Sequence, residues 1–126
     1  MSFEAAELLR KRAHEFLEEA ERLLENGKFD LCVFNLEQYC QLITKYQLFR
    51  LIGSFPHTHS LKLLLNELSK HMQSVKDLLS EKNIIYIGAL EDAYIASRYL
   101  PRDYEEAEAR ELLRFVKEVF RPAVEP

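Results

Sequence analysis

The residues best equipped for chemistry lie in the middle of the chain. Arg50 and His57 have six residues between them, and Pro56-His57-Thr58-His59-Ser60 brings two imidazoles and two hydroxyls together. An arginine beside a histidine can cleave a phosphodiester without a metal. The imidazole moves the 2′-hydroxyl proton, and the guanidinium stabilises charge building on phosphorus. As residue types alone the pair carries little, because arginines near helix ends commonly do no more than answer the carbonyl dipole. A His-x-His pair can also ligate a metal, yet no cysteine or carboxylate lies near His57 and His59 in sequence to complete a set. They read instead as loop residues that cap a helix or face water. The start of the helix that follows would suit a phosphate, since free backbone N–H groups point outward there. Capping by Thr58 or Ser60 is the simpler use.

A second set interrupts an otherwise apolar stretch: Glu37, Gln38, Gln41, Thr44 and Lys45. Polar groups carried inward by a greasy helix must find partners. Lys45 is expected to snorkel or to pair with Glu37, Glu91 or Asp92. Arg98-Tyr99 reads as a salt bridge beside a core-edge tyrosine. Glu15, Glu18, Glu19 and Glu21 form a solvated face. The sequence has no Gly-rich phosphate loop and no Cys-x-x-Cys pair, so neither a cofactor nor a metal is predicted.

Helices must position these groups. Phe3, Ala6, Leu9, Ala13, Phe16, Leu17, Ala20, Leu23 and Leu24 recur at steps of three and four, which predicts an amphipathic helix over about 3–25. Ser2 is its expected cap and Asn26-Gly27 its stop. A second helix is expected from a cap at Asp30 to about Ile52. It is apolar around most of its circumference, as befits the centre of a bundle or an oligomer contact. Gly53-Ser54-Phe55-Pro56 ends it. Leu61, Leu65, Leu68, Met72, Val75 and Leu79 make a stripe that the intervening serines weaken, so one helix or two are open there. Further helices are expected over about 83–99 and from a cap at Asp103 to Pro122, with the last four residues frayed.

The composition agrees. The chain has 126 residues, 48% hydrophobic and 30% charged, with three Gly and four Pro. That length fits one domain, here taken as 1–126, and scarce breakers argue against a turn-rich β fold. A net charge of −4 argues against broad binding to nucleic-acid backbones but leaves room for a local basic pocket. On one helix Cys32 and Cys40 would lie about 12 Å apart, too far to bond, and they read as buried thiols. No apolar run approaches the ~20 residues of a membrane span, and Met1-Ser2-Phe3-Glu4 lacks a signal peptide's pattern. A cytoplasmic protein is expected.

Several stretches taken in order resemble the HEPN domain. They are Asp30-Leu31-Cys32-Val33-Phe34-Asn35-Leu36-Glu37-Gln38, Lys45, Gly53, Thr58-His59-Ser60-Leu61 with Leu64 and Leu65, and Asp92-Ala93-Tyr94-Ile95-Ala96-Ser97-Arg98-Tyr99. The family usually has proline directly after that last tyrosine, whereas Leu100 intervenes here. The resemblance spans about residues 3–120. It implies an all-α, up-and-down bundle of four to five helices that forms a homodimer. It also implies a minimal nucleotidyltransferase as partner, often in a toxin–antitoxin pair, with nucleotide or RNA as ligand. Some members are metal-independent endoribonucleases with an Arg-x4–6-His signature, which Arg50 and His57 match in count. In those branches a polar residue is expected after the arginine, and Leu51 stands there. The resemblance therefore favours a nucleotide-binding module over an enzyme, with His59 as first ligand contact and Lys45, Arg98 and Gln38 beside it; a plain helical interaction scaffold, with Tyr39, Tyr46 and Phe49 packing across a protein interface, is the other alternative.

Overall fold

A computed structural model describes residues 2–98 and 102–126; the side chains of Ser97 and Arg98 lie outside that description. Every regular element among the described residues is helical. Helix α1 (Phe3–Glu25) starts at Ser2, whose hydroxyl accepts from Ala5 N–H at 3.1 Å, and it ends at Asn26 with Gly27 at φ +72°. Helix α2 (Phe29–Ile52) ends on Gly53 at φ +79°, whose N–H donates to the Phe49 carbonyl at 2.8 Å. A left-handed residue is cheap only without a Cβ. Helix α3 (Leu61–Ser69) gives way to a 3-10 turn over Gln73–Leu79, and α4 (Glu81–Arg98) follows. Helix α5 (Glu106–Phe115) continues through one π-helical turn (Val116–Phe120) into the short α6 (Arg121–Val124).

The bundle has more pieces than the sequence implies. The stripe from Leu61 to Leu79 is two elements: His71 and Met72 turn the chain, and Val75 and Leu78 of the 3-10 segment still reach the core. Three boundaries also differ. Asp30 does not cap α2. Its Oδ1 accepts from Tyr104 N–H at 2.8 Å and ties α2 to the segment before α5. The start of α5 lies at Glu105 rather than Asp103, with Glu105 N–H donating to Glu108 Oε1 at 2.9 Å. Pro122 does not end a helix but sits at the start of α6, directly after the π-helical turn.

Helix α2 is the axis of the molecule. It packs against α1, α3, α4 and α5, and Val33, Leu36, Tyr39, Cys40, Ile43 and Leu48 are fully buried on it. Each large apolar side chain buried this way contributes about 1.5–3 kcal/mol. Burial pushes the Cys32 thiol up to about 11 and the Cys40 thiol well above its ordinary value, so both stay protonated. The last residues are anchored rather than frayed. Val124 is buried, Gln47 Nε2 donates to its carbonyl at 2.6 Å, and Ser74 Oγ donates to the Ala123 carbonyl at 2.7 Å. Glu125 reaches His14 Nε2 at 2.8 Å and accepts from the Tyr39 hydroxyl at 2.7 Å. Among the described residues, no helix is long and apolar enough to cross a membrane.

Candidate functional site

Residues 37, 41 and 45 recur at steps of four, so they share one face of α2. That face meets the loop 53–60 and helix α4. Glu37 is 0% exposed and Gln41 4% exposed. Gln38 Nε2 donates to Glu37 Oε1 at 2.7 Å, and Gln41 Nε2 donates to the His59 carbonyl at 2.5 Å. Lys45, half-buried, holds its ammonium 5.7 Å from the centre of the Phe55 ring. The polar residues of α2 thus reach the loop at two points, one turn apart.

The loop presents an aromatic surface in return. The exposed His59 ring stacks on Tyr94 of α4, centroids 4.8 Å apart and planes 19° from parallel. Arg98 closes α4 one turn beyond Tyr94. Its side chain, and Tyr99 altogether, lie outside the described residues. Of the candidate contacts, Lys45 and His59 thus both border the loop, Lys45 through Phe55 and His59 through Gln41 and Tyr94, while Gln38 bonds to Glu37 on its own helix.

Arg50 and His57 keep different company. Arg50 is exposed, and its Nε donates to Gln47 Oε1 at 2.8 Å. It lines a groove of about 520 Å³ with Glu7, Arg10, Tyr46 and Glu125, between α1, α2 and the end of the chain. His57 is exposed on the loop and packs edge-on to Phe55, with centroids 6.5 Å apart. The groove that Arg50 lines does not include His57, and the two side chains contact different partners.

The N-terminus of α3 differs from the phosphate site its sequence allows. Ser60 caps it, accepting from Leu63 N–H at 3.2 Å, and Thr58 Oγ1 accepts from Ser60 N–H at 3.0 Å. Glu91 of α4 occupies the anion position: its Oε1 accepts from Lys62 N–H at 2.7 Å and from Ser60 Oγ at 2.8 Å. A carboxylate from 31 positions away already answers the dipole there. No local motif announces it.

Electrostatics set Glu37 apart. Burial pushes its carboxyl up to about 7, against the opposing pull of Gln41, Gln38 and Lys45, while Glu91 pushes the same way as burial. Lys45 moves oppositely: burial lowers it and the field of Glu37 raises it. For both groups desolvation outweighs mutual attraction, and no ion pair joins them among the described residues. The Lys45 cation is thus only weakly compensated. Among the described residues, no three His, Cys, Asp or Glu side chains gather as a metal site.

Searches of curated proteins and of solved structures find no match to the chain. The family model for the HEPN domain matches residues 6–125. That span runs from the first turn of α1 to the anchored Glu125 and includes each group just described. The fold is the helical one that this family has, and its members are nucleotide- and RNA-related modules that often dimerise. With α2, the loop and α4 all inside the matched span, the chain belongs to the HEPN domain family.

Proposed function

We propose that this protein is a nucleotide-binding module that works as a homodimer with a minimal nucleotidyltransferase, in a toxin–antitoxin type of system. The observation that supports the ligand half is the approach of α2 to the loop 53–60 at two points, Gln41 to the His59 carbonyl and Lys45 to the Phe55 ring, beside the His59–Tyr94 stack. The ligand would be a nucleotide whose base extends the His59–Tyr94 stack. Aromatic stacking of this kind is worth about 1–3 kcal/mol per base. Lys45, with little carboxylate compensation, serves the phosphates as a cation. Gln38 adds an amide for the base or sugar. Family membership supports the nucleotide class and the dimer, and Leu63 of α3 and Ile85 and Ile95 of α4 leave apolar surface exposed for a partner copy.

Calorimetric titration of the full chain with ATP, alone and with a minimal nucleotidyltransferase, tests the reading. Binding is expected, weakened roughly 10-fold or more by His59→Ala and by Lys45→Ala, since each removes an interaction of a kcal/mol or more. No heat at millimolar nucleotide, with or without the enzyme, contradicts it.

A further inference from the structure

The core of the site contains two buried oxygens that lack hydrogen-bond partners, Glu37 Oε2 and Gln41 Oε1. Both belong to residues nine-tenths or more buried, on one face of α2 and one turn apart. A buried polar atom left unpaired costs roughly 1–3 kcal/mol, so two of them on successive turns of one helix face call for a common explanation. Two oxygens cannot bond to each other unless one carries a proton. An amide oxygen in a protein does not. A carboxyl oxygen can, and it then becomes a donor.

We infer that Glu37 is held as the uncharged acid and donates its Oε2 proton to Gln41 Oε1. That single proton gives both oxygens a partner. It also fixes the orientation of the Gln41 amide, whose Nε2 is left facing the His59 carbonyl that it holds. Glu37 Oε1 meanwhile accepts from Gln38. Glu37 is therefore a positioning residue: acting through Gln41, it sets where the His59 end of the loop sits. The Glu37 carboxyl lies near the boundary between its two forms at neutral pH, because burial and Glu91 oppose Lys45 and the two amides. The charged and titratable groups that act on it are Lys45 and Cys40 on its own helix and Glu91 on α4; the loop meets it through the amide of Gln41.

Loss of the proton to water would reverse the arrangement. The new carboxylate needs donors, and the Gln41 amide turns its Nε2 inward, which releases the His59 carbonyl. The 53–60 loop is thus latched below neutral pH and freed above it. The latch stands on the geometry of α2 and the loop. Only its consequence for ligand binding rests on the nucleotide reading.

The test is NMR of the ligand-free full chain across neutral pH, with the side-chain carboxyl carbon of Glu37 and the backbone amides of Thr58, His59 and Ser60 followed together. The carboxyl is expected to titrate near neutrality, and the loop amides to move with the same midpoint. In Glu37→Gln, whose amide donates to Gln41 at every pH, the loop amides are expected to stay at their low-pH positions. A carboxyl that titrates in the ordinary glutamate range overturns the inference in the wild type, without recourse to any variant. So does a loop titration that survives in Glu37→Gln, which would belong to the imidazoles of His57 and His59. A working latch in a protein that binds no nucleotide sinks only the ligand reading. Nucleotide binding with an ordinary Glu37 sinks only the latch.

Discussion

Glu37 is the residue at which fold and function pull against each other. Its native carboxyl sits at about 7 against an ordinary value of 4.5. The folded state therefore binds this proton more tightly than the unfolded chain does. Its contribution to stability is fully present below about 4.5 and is lost as pH rises through about 7. The loss is at most ~3 kcal/mol if the whole shift is expressed. Glu37→Gln removes that dependence. Urea unfolding of both proteins at pH 5 and pH 8 should show the variant gaining on the wild type at the higher pH, by up to that amount. A stability difference that does not change with pH would mean that Glu37 is ionised throughout. The sequence marks Glu37 as one of the polar residues on a greasy helix. The family resemblance favours His59, Lys45, Arg98 and Gln38 as the contacts, and it does not single out Glu37, because which polar residue faces inward depends on packing. The partner of Gln41 and the capping role of Glu91 escape notice for the same reason: they join residues distant in sequence, 18 positions apart for the first and 31 for the second.

At the scale of elements, α2 and its glycine stop are the most legible features. The apolar girdle of α2 identifies it as central, and it is central. Gly53 follows its last residue at φ +79° with open space where a Cβ would go. Gly53→Ala should therefore cost about 1 kcal/mol through backbone strain alone. Thermal unfolding checks the cost, and an unchanged melting point contradicts the reading of this turn. The break in the stripe after Ser69 is less legible. Leu68, Met72, Val75 and Leu79 continue a helical spacing, but a 3-10 turn places Val75 and Leu78 in the core equally well. The passage from α5 to α6 is similar. Pro122 reads as a stop, yet a π turn lets it open a further turn of helix.

For the molecule as a whole, the end of the chain is part of the bundle. Its terminal position predicts fraying, but the fold brings Tyr39 and His14 up to Glu125, and Tyr39 is fully buried. Tyr39→Phe removes the hydroxyl that donates to Glu125 and should destabilise the protein by about 1–2 kcal/mol. Hydrogen exchange should quicken at Val124 and Glu125 in that variant; unchanged protection there would mean that the hydrophobic contacts of Val124 hold the segment alone. The same packing separates two candidate regions on the surface. One is the His59–Lys45 junction, and the other is the groove that Arg10 and Arg50 line. The most direct test of where nucleotide binds is amide chemical-shift mapping of the full chain titrated with ATP. The largest movements are expected at Lys45, Phe55, His59 and Tyr94. Movements confined to Arg10, Tyr46 and Arg50, with the His59 loop silent, would contradict the account.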